Sequence, residues 1–118
     1  MEIGQLKNLG LLNIKENNLR GRIPNSIAHL QQLRYLYLDY NQLSGIIPSN
    51  LGKYVNLLDL DLSHNMLSGH IPPEVANLAN LVIFFDISNN LLDGPVPMGL
   101  SKMTMFQAID ISANWFTG

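Results

Sequence analysis

Cysteine is absent from the sequence, which removes disulfide frameworks, thiolate zinc sites and thiol nucleophiles from consideration. The redox compartment stays open, because a thiol-free chain survives in either. Charge is scarce. Asp, Glu, Lys and Arg make up 14% of the residues, against ~25% in an ordinary soluble domain, and the formal net charge is -2. A partner held mainly by charge is therefore not expected, and the basic stripe that marks a nucleic-acid binder is missing. Apolar runs are short: the longest, such as Leu81 to Phe85, falls far below the ~20 residues that cross a bilayer. Residues Met1 to Gly10 carry neither a basic n-region nor an apolar h-region, so no secretory signal is read there. No Gly-rich phosphate loop or nucleophile elbow occurs, and neither cofactor nor catalysis is expected.

What is present is self-similarity. The length of 118 residues sets the prior at one domain, 1–118. Alignment on Asn17, Asn41, Asn65, Asn90 and Asn114 gives intervals of 24, 24, 25 and 24 residues. Two positions after each Asn stands an apolar residue (Leu19, Leu43, Leu67, Leu92, Phe116), and four positions after stands glycine (Gly21, Gly45, Gly69, Gly94, Gly118). Pro24, Pro48, Pro72 and Pro97 follow. Apolar residues also precede each Asn at fixed offsets, from Leu9, Leu12 and Ile14 in the first unit to Phe106, Ile109 and Ile111 in the last.

These columns spell L-x-x-L-x-L-x-x-N-x-L, the leucine-rich-repeat signature, over essentially the whole chain. Segments such as "LDLSHNMLSGHIPPEVANL" resemble the plant-specific form, which continues x-G-x-I-P. It is found in ectodomains of receptor-like kinases and receptor-like proteins and in polygalacturonase-inhibiting proteins.

The physics of the columns agrees with the resemblance. The apolar residues five and three before each Asn alternate with polar neighbours, as in a half-buried strand, so five short parallel strands should stack side by side. One unit cannot bury its apolar face alone, and each must pack on its neighbours. Asn17, Asn41, Asn65, Asn90 and Asn114 are read as a structural ladder whose amides satisfy turn backbone that would otherwise be buried unpaired. Glycines tolerate φ > 0 or close approach, and prolines suit entry into short 3₁₀ or α turns, as over Asn25 to Leu30 and Pro73 to Leu78. The expected architecture is an α/β leucine-rich-repeat solenoid of about five units. The resemblance adds a second short strand in each unit and a right-handed superhelix, with the parallel strands on the concave face and the turns on the convex face. The family usually closes its ends with paired cysteines, which are absent. The expectation is a piece of a longer array, or a truncated gene product, whose raw ends, near Leu6 and Leu9 and near Ile109, Ile111 and Phe116, either associate end to end or are masked by neighbours.

Residues between the buried strand positions face the concave surface, where this fold usually recognises partners. Asp61, Asp86 and Asp110 share one offset in consecutive strands, with Asp39 and Asp59 beside them. Like charges aligned across strands repel, and a Lys- or Arg-bearing protein or peptide would relieve them; the other reading is family filler, in which Asp and Ser hydrogen-bond each other. Tyr35, Tyr37, Tyr40 and Phe84 depart from the filler pattern and form an aromatic patch suited to a binding hot spot, or to packing. His64 is the one histidine on this face, near Asp61 and Asp86, and no convergent metal set accompanies it. The surplus residue of the fourth unit is placed within Val82 to Phe85, where a strand bulge would turn Ile83 or Phe84 outward, or where the repeat length merely drifts. Trp115 follows the last Asn and is expected to be a packing or exposed residue rather than a site.

The functional expectation is a binding module, not an enzyme. The resemblance implies the ligand-sensing ectodomain of a plant receptor-like kinase or receptor-like protein in defence or development signalling, extracellular or at the cell surface. An inhibitor of fungal cell-wall-degrading enzymes is the alternative, and an ice-binding repeat protein a more distant one, since Tyr and Asp make this face irregular. The lack of any Asn-x-Ser or Asn-x-Thr sequon is unusual for extracellular members.

Overall fold

The computed structural model describes residues 9–54, 56–76, 78, 82–98, 100 and 108–117. Every unit opens with a three-residue strand: β1 (Leu11–Asn13), β3 (Tyr35–Tyr37), β5 (Asp59–Asp61), β7 (Phe84–Asp86) and β9 (Ala108–Asp110). These form one parallel sheet in the order β1-β3-β5-β7-β9. Its register is that of the repeat, with Leu12, Leu36, Leu60, Phe85 and Ile109 side by side. Because side chains alternate across a strand, this row points into the core, and Leu36, Leu60 and Phe85 are fully buried.

The turn after each strand feeds a second short strand: β2 (Arg20–Arg22), β4 (Gln42–Gly45), β6 (Met66–Gly69), β8 (Leu91–Pro95) and β10 (Trp115–Thr117). They form a second parallel sheet, β10-β8-β6-β4-β2. Its glycines hold φ between +76° and +84°, a region L-residues enter at a cost. At Gly45 an added Cβ would meet the Arg22 side chain at 2.9 Å, and at Gly94 it would collide with the His70 ring. Arg22, Ile46 and His70, each following a repeat glycine, thus lie over the glycine of the next coil.

Proline then starts the convex turns: 3₁₀ turns over Asn25–His29 and Ser49–Lys53 and a single α turn, α1 (Pro73–Ala76). Apolar residues from these turns, Ile27, Leu51 and Val75, close the core from the convex side. The buried Tyr54 hydroxyl donates to the Ile27 carbonyl at 2.6 Å, and burial raises the phenol above its ordinary pKa.

The asparagine ladder is the polar spine of the array. The Asn65 amide nitrogen donates to the carbonyls of Leu38, Leu62 and Ser63, and its oxygen accepts from the Leu43 N–H at 3.0 Å. Asn41, Asn90 and Asn114 repeat the arrangement, each bridging its own coil to the preceding one. The Asn17 side chain is exposed and donates only to Lys15 O among the described residues.

Of the two readings of the surplus residue in the fourth unit, the strand bulge is excluded. Ile83 and Phe84 both donate to Leu58 O, at 2.8 and 3.2 Å, as Leu58 and Asp59 donate to Arg34 O one coil earlier. Phe84 stands opposite Asp59 in unbroken register, and Val82 takes the buried place of Leu57. The surplus residue falls before Val82: Val82 N bonds to Leu78 O, four residues back, where Leu33 N bonds to Leu30 O, three back. Residues 79–81 lie outside the described residues. So do Leu6, Phe106, Gly118 and part of the Pro73 to Leu78 turn, which leaves the expectation of exposed ends only partly visible. Leu9, Ile109, Ile111 and Phe116 pack on the core as partly buried residues.

Candidate functional site

Four rows of side chains cross the concave wall, one residue from each coil, and the third is largely buried. Residues between the buried positions of a strand point away from the core, so register alone assembles the first two rows: Leu11–Tyr35–Asp59–Phe84–Ala108 and Asn13–Tyr37–Asp61–Asp86–Asp110. The third and fourth continue into the turn, as Lys15–Asp39–Ser63–Ser88–Ser112 and Glu16–Tyr40–His64–Asn89–Ala113. Backbone bonds such as Tyr40 N to Ser63 O and His64 N to Ser88 O fix their alignment. The structure therefore brings Tyr35, Tyr37, Asp59, Asp61, Phe84, Asp86 and Asp110 onto one sheet face.

The aspartates are held by the serine two residues on. Ser63 donates both its N–H, at 3.0 Å, and its hydroxyl, at 2.6 Å, to the same Asp61 oxygen, Oδ1. Asp86 with Ser88 and Asp110 with Ser112 repeat this at 2.9 and 2.6 Å. The hydrogen bonds of the filler reading are thus present. They occupy one oxygen of each carboxylate and leave the Oδ2 atoms of three neighbouring strands without a hydrogen bond from the described residues.

Environment separates Asp61 from Asp110. Burial raises the Asp61 pKa; the Ser63 hydrogen bonds oppose this, and the charges of Asp39 and Asp86 add to the rise. Asp110 is lowered, first by its Ser112 hydrogen bonds, because little burial acts against them.

The second coil breaks the Asp–Ser pattern. Tyr37 takes the aspartate position, and its hydroxyl donates across the sheet to Asp59 Oδ2 at 2.7 Å. Burial, this hydrogen bond and the surrounding carboxylates push the Tyr37 phenol up to about 12. Asp39 takes the serine position and is only 4% exposed, unlike the open residue expected; its carboxylate lies 3.9 Å from Lys15 Nζ.

The fourth row holds a feature the sequence did not signal. Glu16, Tyr40, His64, Asn89 and Ala113 all adopt φ between 56° and 60°, although none is glycine. The turn before each ladder asparagine imposes this conformation, at a cost of order 1–2 kcal/mol per residue. Tyr40 and His64 then stack, with ring centroids 4.0 Å apart and planes 10° from parallel, and His64 Nε2 lies 3.3 Å from Asn89 Nδ2. His64 therefore belongs to the flank of the wall, beside Tyr40.

Comparisons with known proteins fit this geometry. The leucine rich repeat family matches residues 3–43 and, in a second form, 56–78. No curated protein sequence matches the chain. Among solved structures, a TDR receptor is similar over 98% of this chain at 33% identity and a TM-score of 0.91. The Arabidopsis receptor kinase HAESA, solved with the peptide hormone IDA and the co-receptor SERK1, is similar over 98% at 30% identity and a TM-score of 0.84. A plant ice-binding protein is similar over 97% at 28% identity and a TM-score of 0.83. The chain spans 20% and 19% of the two receptors and 44% of the ice-binding protein. Repeat columns, two parallel sheets, the asparagine ladder and these likenesses together mean that the chain belongs to the leucine-rich-repeat family, in the form found in plant receptor-kinase ectodomains.

Proposed function

We propose that the concave wall binds a protein or peptide carrying Lys or Arg side chains, and that the chain serves in the ligand-sensing ectodomain of a plant receptor-like kinase or receptor-like protein. Defence or development signalling at the cell surface is the setting this implies. The observation that carries the reading is the row Asp61, Asp86 and Asp110. Each spends one carboxylate oxygen on its serine, leaving a ladder of acceptors at the ~4.8 Å strand spacing. Tyr35, Tyr37 and Phe84 border that ladder with broad rigid surface, the kind that concentrates binding energy. A cation entering the row relieves like-charge repulsion of ~1 kcal/mol per neighbouring pair in water-like surroundings. HAESA, solved with a peptide hormone, supports a peptide as the partner class.

The inhibitor reading uses the same wall against a basic region of a folded fungal enzyme. An ice-binding face calls for evenly repeated small polar groups, and the tyrosines, aspartates and Phe84 interrupt such regularity.

The test is a calorimetric titration with an Arg/Lys hexapeptide, an Asp/Glu hexapeptide and a fungal polygalacturonase. The proposal expects saturable binding of the basic peptide, weakened about ten-fold or more by Asp86→Asn together with Tyr37→Ala, since a lost charge-assisted bond alone is worth ~1.5–3 kcal/mol. Binding of the enzyme alone selects the inhibitor reading. Equal binding of both peptides removes the acidic row from the mechanism.

A further inference from the structure

Beside the concave wall, on the flank formed by the last two described coils, lies a cleft of 480 Å³, within the ~300–1,000 Å³ range of small-molecule sites. Asn89 and Leu91 of the fourth coil and Ala113 and Trp115 of the fifth line it, with asparagines of the ladder also contributing. Ala113 occupies the position held by Tyr40 and His64 in earlier coils, so a small side chain leaves open the volume that rings fill there. Leu91 and Trp115 each follow a ladder asparagine directly, at the heads of β8 and β10.

The chemistry of the lining narrows the ligand. None of the lining residues is ionisable, so a charged ligand would lose hydration with no countercharge to replace it. Trp115 is 70% exposed, and its indole N–H has no partner among the described residues. Asn89 spends its amino group on His64 and Ser88, which leaves its amide carbonyl as an acceptor at the cleft. A wholly apolar ligand would cover these two groups without satisfying them, and an unmade hydrogen bond is expensive. A ligand with a flat C–H face and a rim of hydroxyls meets both demands. We propose that the cleft binds an uncharged oligosaccharide, the C–H face of one sugar ring stacked on Trp115 and its hydroxyl donating to the Asn89 carbonyl, while a hydroxyl of the adjoining ring, beyond the indole edge, accepts from the indole N–H. This inference is independent of the basic-peptide reading, since it shares none of the acidic row.

Trp115 is the single tryptophan of the chain, so its fluorescence reports on this cleft alone. The chain is titrated with cellohexaose, mannohexaose and, as the charged contrast, tri-galacturonate, in parallel with calorimetry. A saturable shift of the emission with at least one neutral hexasaccharide, and none with tri-galacturonate, is the expected result. Calorimetry on Trp115→Ala should then show binding lost. Asn89→Ala should weaken it roughly ten-fold, the effect of removing one such hydrogen bond. Ala113→His, which restores a ring already accommodated at the equivalent His64, should block the cleft with the circular dichroism unchanged. Met98→Ser, trimming an 82% exposed apolar side chain outside the cleft, should leave affinity as it was. The proposal is overturned if neither neutral sugar perturbs Trp115, if tri-galacturonate binds as well as they do, or if Ala113→His folds and still binds.

Discussion

Asp61 and Asp110 occupy the same register position, accept the same two serine hydrogen bonds, and still titrate in opposite directions. Asp61 sits among Asp39 and Asp86 with partial burial, so its folded form holds the proton more tightly than the unfolded chain does. Its contribution to stability is therefore present below the ordinary value of 3.8 and is lost as pH rises through the raised folded value. Asp110, lowered by Ser112 with little burial, contributes stability above 3.8 that is lost as pH falls. Asp61→Asn should accordingly raise the melting temperature at about pH 7 and lose that advantage towards about pH 3. Asp110→Asn should lower it slightly at neutral pH and match the parent in acid. Thermal melts across this range check both signs, and a shared sign would contradict the assignment of burial as the dominant effect at Asp61. Little of this contrast is legible in the sequence: the column of aspartates is plain, but burial and lateral charge depend on neighbours that register supplies.

At the scale of the strand and its turn, the ladder asparagine decides whether two coils close on each other. Asn65→Ala leaves the Leu43 N–H and three carbonyls without their amide partner. At about 1–3 kcal/mol for each buried group left unpaired, the loss should be ~3 kcal/mol or more. Asn17→Ala removes one exposed bond to Lys15 O and should cost ~0.5 kcal/mol or less. Urea denaturation of the two variants measures the difference, and similar midpoints would deny the ladder its role. The Asn columns, the strand positions and the proline-led turns were all readable from the repeat. The surplus residue, placed by the repeat within Val82 to Phe85, was misplaced, because parallel register holds that stretch to the preceding coil through the Leu58 carbonyl. The surplus residue falls between Leu78 and Val82 instead.

The described residues form a stack in which each coil is the template for the next, so the first and last described coils have one described neighbour each. Leu36, Leu60, Leu62 and Ile87 are fully buried in the middle coils, while their counterparts Leu12, Ile14, Ile109 and Ile111 are only partly covered. We propose that this chain, taken by itself, associates end to end through those apolar edges, since a repeat unit buries its apolar face only against a neighbour. Sedimentation velocity at increasing concentration should show a rising weight-average mass. Ile14→Asp combined with Ile111→Asp should suppress it, whereas a strictly monomeric parent at high concentration would contradict the proposal.

The repeat alone determined the solenoid, its period, its buried columns and its ladder, because each is a local rule copied five times and copies average out accident. Only the tertiary structure decided which side chains meet across coils. It paired Tyr37 with Asp59, sank Asp39 beneath the wall, set Tyr40 against His64 and opened the cleft over Ala113. These contacts join residues more than twenty positions apart, at distances set by backbone register and a left-handed turn that no residue type in the row announces.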